Sequence, residues 1–337
     1  MLVEELSNLC GIDGCIFVHV TGFIGGNKAF EGALAMAKKA LEIGDAEICV
    51  NVAFKTSACT ARNKFDHSQS TTFVNDTRQW SQEIYGDVSG AHGKDAVRIG
   101  LNQLSGNCTF GLATNMADTF QNWPSVDGVL GLGIDHDGTI PSDPFLQQLI
   151  SSQILEPAMF TVYLKHSQIN TTTAGYVIYG SAHTSLCETM VDYHNVSSDT
   201  PIQVMSIIMG TTLISQTTMM LELVPTILGP RADVQKIADK VGATYMNNRF
   251  EISCDAPLPD FEFYIDYRKY TIASDRLIVK TASGCALAIN FVQNDSSVIP
   301  HWYFGAPLFE QYCVTFDYEG KRLGFARVRD VDTTTLE

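Results

Sequence analysis

The texture of the chain changes near residue 51, and that change limits what the chain can build. From there on, apolar residues come in short runs such as Phe160-Thr-Val-Tyr-Leu164 and Tyr176-Val-Ile-Tyr179, bounded by segments rich in Thr, Ser and Asn. Runs of this length suit strands closed by turns rather than helices. The first fifty residues read differently. Glycines at 11, 14, 22, 25, 26 and 32 lead into residues 28–42, where Ala33, Leu34, Ala37, Ala40 and Leu41 recur at helical spacing. That pattern predicts a short strand, a glycine turn and one helix. A unit of about forty residues cannot bury its own apolar face, so it must dock on the rest or stand as a sticky appendage.

With 337 residues and 45% hydrophobic side chains, the chain has globular composition and enough length for two lobes. Its formal net charge of −15 excludes a nucleic-acid partner, because phosphate binding needs a surplus of Lys and Arg. Residues 202–228 form the longest apolar-looking stretch. Gln203, Ser206, Ser215, Gln216 and Glu222 interrupt it, so no membrane span is expected. The amino terminus, Met-Leu-Val-Glu-Glu-Leu, is acidic where a secretory signal is basic, so no signal peptide is expected either. Against this stand nine cysteines and five Asn-x-Ser/Thr sequons, at Asn75, Asn107, Asn170, Asn195 and Asn294, which point to an extracytosolic history.

Two family resemblances account for the change of texture. Gly14-Cys-Ile-Phe-Val-His19, Gly22-Phe-Ile-Gly-Gly-Asn27 and Glu31-Gly-Ala-Leu-Ala-Met-Ala37 resemble the carboxy-terminal tail of the DHH-like metal-dependent hydrolases associated with melanocyte proliferation. Only that tail, about residues 1–43, is present. The metal-binding motifs of that family lie upstream of it, so the piece implies no hydrolase. Residues 22–26 also miss the dinucleotide and P-loop spacings and read as a structural turn.

The second resemblance covers about residues 56–328 and is to the pepsin-like aspartic peptidases (family A1), nematode-type members in particular. Its motifs occur in order. Lys64-Phe-Asp-His-Ser-Gln-Ser-Thr-Thr-Phe73 resembles the loop before the flap; Tyr85 and Gly86, with Gly93-Lys-Asp-Ala-Val97, resemble the flap hairpin. Asp127-Gly-Val-Leu-Gly-Leu-Gly133, Pro144-Phe-Leu-Gln-Gln-Leu149 and Met159-Phe-Thr-Val-Tyr-Leu164 resemble the end of the first lobe. Ile252-Ser-Cys254, Leu258-Pro-Asp-Phe261, Trp302-Tyr-Phe-Gly-Ala-Pro-Leu-Phe309, Tyr312-Cys-Val-Thr-Phe-Asp317 and Arg322-Leu-Gly-Phe-Ala326 resemble the second. The resemblance implies a mainly β, bilobal acid-peptidase fold of orthogonally packed strands, with the foreign strand-turn-helix tail at 1–45, a truncated first lobe at 46–180, a second lobe at 181–330 and a short tail at 331–337.

The family's chemistry needs one carboxylate from each lobe, each in an Asp-Thr/Ser-Gly turn, so close that the pair shares a proton and activates water. Upstream of Cys59 the chain reads Ile48-Cys-Val-Asn-Val-Ala-Phe-Lys-Thr-Ser-Ala-Cys59, with no aspartate. In the second lobe, Leu228-Gly-Pro230 and Ile237-Ala-Asp-Lys-Val-Gly-Ala-Thr244 anchor the alignment and put Leu221-Glu-Leu-Val-Pro225 on the turn. Leu221 then stands at the dyad position and cannot ionise, while Glu222 is displaced along the chain. No catalytic residue is therefore expected. Met219-Met220 must be encoded ATG-ATG, which contains an aspartate codon in a shifted frame; the following codons can then read Ala-Gly-Thr-Ser. A local frame or splice fault would account for the loss.

Three functions stay open: an aspartic endopeptidase homologue inactive as written, a genuine acid endopeptidase whose true product restores both turns, and a peptide-binding pseudoprotease that uses the Tyr85 flap without cleavage. The parent family is secreted or lysosomal, and it acts on peptide or protein substrates. A monomer is the expected state. No cofactor and no metal are expected. Asp135-His-Asp137 is followed by Gly and reads as a solvated turn, His19, His92 and His301 lack zinc-motif spacing, and Cys10 with Cys15 lacks a second pair. No Gly-x-Ser-x-Gly elbow occurs. By the family resemblance, Cys254 and Cys285 should form a disulfide, Cys187 and Cys313 are a weaker pair, and Cys59 is without its partner. Loss of the family's amino-terminal strands should also leave backbone edges uncovered in the first lobe.

Overall fold

The computed structural model describes residues 2–5, 10–11, 14–19, 47–49, 65–82, 88–99, 104–116, 128–131, 145–166, 175–182, 185–189, 191–196, 202–221, 225–281, 284–292 and 301–329. The fold is mainly β, as the short apolar runs predict. A six-stranded sheet has β1 (Leu2–Glu5), β10 (Gly175–Tyr179), β9 (Met159–Leu164), β23 (Tyr312–Asp317), β24 (Arg322–Arg327) and β11 (Asp192–Asn195) side by side in that order. A seven-stranded sheet runs β18 (Arg268–Ile272), β17 (Phe261–Ile265), β12 (Ile202–Met209), β13 (Thr212–Leu221), β22 (His301–Phe304), β14 (Ile227–Gly229) and β21 (Ile289–Phe291).

Three smaller sheets complete the described residues. One joins β15 (Thr244–Met246), β16 (Arg249–Ile252), β20 (Gly284–Leu287) and β19 (Ile278–Thr281). Another joins β4 (Glu47–Cys49), β7 (Leu104–Met116), β6 (Val88–Ile99) and β5 (Val74–Gln82). The third joins β2 (Cys10–Gly11), β3 (Gly14–His19) and β8 (Gly128–Gly131). The strands β1, β2 and β3 thus come from the segment that the sequence marks as a tail, and two of them pair with peptidase-like strands. The helix expected within residues 28–42 lies outside the described residues.

The main core lies against the six- and seven-stranded sheets. Phe160, Val162, Val314 and Phe316 are fully or almost fully buried, with the rings of Phe160 and Phe316 stacked at 4.6 Å. Burying each such side chain contributes roughly 1.5–3 kcal/mol relative to exposure. Thr161 and Thr315 face each other across β9 and β23, their hydroxyls 2.8 Å apart, and the Thr161 hydroxyl donates to the Ser181 carbonyl. This buried polar pair is therefore satisfied.

The β12–β13 hairpin turns over part-way along. Ile202 and Val204 point inward on β12 and then Ile207 and Met209; on β13 the inward set changes from Thr212 and Ile214 to Thr217, Met219 and Leu221. Met205 and Gln216 are missing from the otherwise continuous register, and Gln216 has φ 54°. Such an irregularity re-aims the side chains beyond it. It is the reason Met219 and Leu221 enter the core.

Three α-helices among the described residues serve the sheets. α1 (Phe145–Ser151) buries Leu146 and Leu149, and its Gln148 side chain accepts from the Thr109 backbone N–H and donates to the Thr109 carbonyl. α2 (Arg231–Val241) buries Val234, Ile237 and Ala238, at i, i+3 and i+4, and ends at Gly242, φ 74°, a left-handed cap that glycine adopts without strain. α3 (Ala306–Gln311) follows β22 directly.

Both expected disulfides are present. Cys254, just past β16, is bonded to Cys285 on β20, and Cys187 is bonded to Cys313 on β23. Cys108 is a free, buried thiol, which burial pushes up to about 11. Cys59 lies outside the described residues.

Candidate active site

The strand expected to carry the second-lobe turn is β13. It runs parallel to β22, with Thr218 opposite His301, Met219 opposite Trp302, Met220 opposite Tyr303 and Leu221 opposite Phe304. Both strands end in apolar packing: Leu221 is 2% exposed, and Met219, Trp302 and Phe304 are fully buried. β14 then returns antiparallel beside β22, with Leu228 opposite Tyr303. Gly229 makes that return possible, because a Cβ there would lie 2.7 Å from the Trp302 ring. Residues 222–224, Glu222 among them, lie outside the described residues.

A second parallel pair has the same form. β3 runs beside β8, with Ile16 opposite Gly128, Phe17 opposite Val129, Val18 opposite Leu130 and His19 opposite Gly131. β8 reads Val129-Leu130-Gly131, and β22 with its next residue reads Tyr303-Phe304-Gly305, two apolar residues and a glycine in each. On this register Val18 corresponds to Leu221. Neither side chain ionises.

Carboxylates with the burial that a proton-sharing pair needs are few. Among the described residues the buried acids are Asp95 and Asp317. Burial works against the charge of Asp95, but hydrogen bonds from Ser70, from Thr72 at 2.5 Å and from the Ala96 backbone N–H at 2.7 Å outweigh it and hold the carboxyl below its ordinary range. Asp317 accepts from the Gly320 backbone N–H at 2.8 Å and from Arg322 at 2.6 Å, closing the β23–β24 turn. One lies on the β4–β7 sheet and the other on the six-stranded sheet, and both are committed to structural turns or loops.

The expected flap is the β5–β6 hairpin. Its described arms pair from Val74 opposite Lys94 to Gln82 opposite Val88, and Tyr85 and Gly86 fall in the connection between those ends, outside the described residues. The arms are tied by two buried aromatic side chains. Trp80 donates its indole N–H to the Ala91 carbonyl at 3.1 Å, and His92 places Nδ1 3.2 Å from the Arg78 carbonyl. That contact fixes the proton on Nδ1, since a carbonyl only accepts. Sequence spacing gave His92 no role; the cross-strand position does.

No local motif marks a further cluster. His194 on β11 is 3% exposed, with Nδ1 2.8 Å from an Asp266 oxygen and Nε2 2.5 Å from the Tyr270 hydroxyl. Arg268 forms an ion pair with Asp192 at 2.5 Å, so the β17–β18 hairpin is fastened twice to the edge of the six-stranded sheet. Seventy or more residues separate the partners, which is why spacing gives no sign of them.

Asn75, Asn107 and Asn195 are exposed, while Asn170 and Asn294 lie outside the described residues, as do Asp135, His136 and Asp137. Cys10 and Cys15 stand opposite each other in the β2–β3 ladder. Among the described residues no group of three or more His, Cys, Asp or Glu side chains could hold a metal ion, and no helix is long and apolar enough to cross a membrane.

The motif order agrees with comparison to known proteins. The eukaryotic aspartyl protease family profile matches residues 43–328. The chain belongs to this family. The match begins at residue 43, earlier than the residue 56 from which the motifs are legible. Aspartic protease 6 of Caenorhabditis elegans is 32% identical over 283 residues, covering 80% of this chain and 72% of that protein. Aspartic protease 2 of Necator americanus is 28% identical, covering 82% of this chain and 67% of that protein, and pepsin A of Gallus gallus is 23% identical, covering 81% and 75%. A second profile, of an uncharacterised protein family (UPF0160), matches residues 2–41. That short match answers only in part to the hydrolase tail read at residues 1–43.

Proposed function

We propose that this chain is a catalytically silent homologue of the aspartic endopeptidases that keeps peptide as its ligand class. Leu221 carries the reading. Counting back from Leu228-Gly-Pro230 puts it at the position expected of the second catalytic aspartate, and it is an apolar side chain at 2% exposure in the main core. Peptide hydrolysis in this family needs a water-activating pair of carboxylates, one from each lobe, and a pair with one member missing has no general base. Val18, at the corresponding register of the other parallel pair, is equally unable to supply one. The flap positions Tyr85 and Gly86 remain in sequence, which supports binding of an extended peptide without turnover.

The Met219-Met220 pair favours a second reading, an active acid endopeptidase whose natural product carries Asp-Thr-Gly turns in both lobes. Full-length transcripts across the codons for residues 47–59 and 211–229 separate the two. The present codons support the silent homologue; Asp-Thr-Gly codons in both places overturn it and make the chain a misread of an active, secreted or lysosomal peptidase. The exposed sequons Asn75, Asn107 and Asn195 fit either parent compartment.

A further inference from the structure

The segment matched by the uncharacterised family, residues 2–41, does not stand apart from the peptidase body. Its strand β1 extends the six-stranded sheet, with Leu2 opposite Tyr179 and Glu5 opposite Tyr176, so β10 is an inner strand. Its strand β3 runs parallel to β8 over four residue pairs. Among the described residues β3 is the only ladder partner of β8, and β8 lies in Asp127-Gly-Val-Leu-Gly-Leu-Gly133, the motif that most clearly carries the peptidase resemblance. Removing the segment would expose the backbone N–H and C=O groups of two strands, and such groups must be paired or wet.

The register gives this pairing more than edge-covering value. In the other lobe β13 and β22 are both peptidase strands, and β3 with β8 repeats their parallel geometry, up to the apolar-apolar-glycine end of the second strand. A segment with the sequence of another family therefore fills the position of the peptidase's own lost strand. Backbone ladders make such a substitution feasible: they require an extended chain of the right direction and length, and they read side chains only weakly. Residues 14–19, Gly-Cys-Ile-Phe-Val-His, include a β-branched and aromatic run that suits a central strand.

We infer that residues 2–19 act as a strand donor in cis, supplying β1 to β10 and β3 to β8, so that the fused segment and the peptidase body form one folding unit. This holds whether or not the chain is catalytic. Loss of peptidase strands at the fusion is thereby compensated, and a truncated first lobe escapes the open edges that its sequence predicts.

Hydrogen–deuterium exchange of the intact full-length chain tests the donor role. Peptides covering residues 14–19 and 128–131 should exchange at least about tenfold more slowly than an unstructured peptide of the same sequence. Proline at Ile16 and Val18 (Ile16→Pro/Val18→Pro) removes two ladder positions. It should abolish the protection of residues 128–131 and leave that of β12 and β13 unchanged. Free exchange of residues 14–19 in the unaltered chain, or protection of 128–131 that survives the prolines, overturns the inference. If the proline variant does not fold, a site-specific protease sequence inserted after Gly44 of the full chain gives the same decision. After cleavage the amino-terminal fragment should stay with the body on gel filtration. A fragment that elutes alone, from a body whose melting is unchanged, contradicts strand donation.

Discussion

Replacing Leu221 by aspartate asks whether that position is a dry core site or a place for a catalytic carboxylate. Leu221 is 2% exposed among Met219, Trp302 and Phe304, all fully buried. Losing its burial costs roughly 1.5–3 kcal/mol. A carboxyl in such surroundings is raised by desolvation, up to ~3–5 pKa units when fully buried. Taking ~3 units at about 1.36 kcal/mol each gives a further ~4 kcal/mol. The sign follows from proton linkage: with the folded pKa above the unfolded value of about 3.9, the charge penalty is absent below pH ~4 and grows as pH rises toward the folded pKa. Leu221→Asp should therefore lie ~1.5–3 kcal/mol below the parent at pH 3.5 and ~5.5–7 kcal/mol below it at pH 7, much of a typical domain's ~5–15 kcal/mol. Leu221→Asn, equally polar and uncharged, should show no such pH slope. Urea denaturation at pH 3.5, 5 and 7, with m-values compared, measures this. Asp and Asn variants that agree within ~1 kcal/mol at every pH would refute the argument, because a hydrated carboxylate pays no charge penalty.

Three further outcomes follow from the structure. Cys254→Ser opens a loop with sequence separation 31 and should cost about 3–4 kcal/mol, while Cys187→Ser, with separation 126, should cost about 5, both by denaturation under oxidising conditions. His166 gains a hydrogen bond to Glu310 at 2.7 Å that raises its pKa above the ordinary histidine range. Its stabilising pairing is complete below pH ~6.5 and is lost as pH rises through the raised folded value, so His166→Gln should flatten that limb of the stability–pH profile, and an NMR titration should place the His166 midpoint above 6.5. His194→Phe leaves the buried Tyr270 hydroxyl without its partner and should cost ~1–3 kcal/mol, with extra exchange at residues 261–272.

How far the sequence speaks depends on whether a feature is local. The strand texture is written in neighbouring residues and was legible, and the hairpin with β5 and β6 as its arms was legible through the family's motifs; the helix at 231–241 was not read, although its apolar spacing and Gly242 are local. The two disulfides were legible through the family's pattern, since Cys187 and Cys313 are too far apart for spacing to pair them. The turn-over of β12 and β13 was not, because it depends on Met205 and Gln216 leaving the ladder together, and neither residue has a sequence signature for that. The pairing of β3 with β8 was also hidden. Helical spacing and glycines made the first segment look like a separate unit, and nothing local says that a strand will find a partner more than a hundred residues away. His194, Asp266 and Tyr270 were missed for the same reason. Leu221, by contrast, is assigned to the dyad position from the motifs that flank it in sequence, and that assignment belongs to the proposed function.

Val18 and Leu221 stand at matching positions of the β3–β8 and β13–β22 parallel pairs, and on the proposed reading neither position supplies a carboxylate. The most direct measurement is turnover: the purified full-length chain incubated with an internally quenched peptide rich in apolar residues, from pH 2 to 6, with and without a transition-state analogue of peptide hydrolysis. The expected result is no cleavage above the buffer rate at any pH. Cleavage with an acidic optimum that the analogue abolishes would contradict it, since a carboxylate pair would then have to exist in this chain.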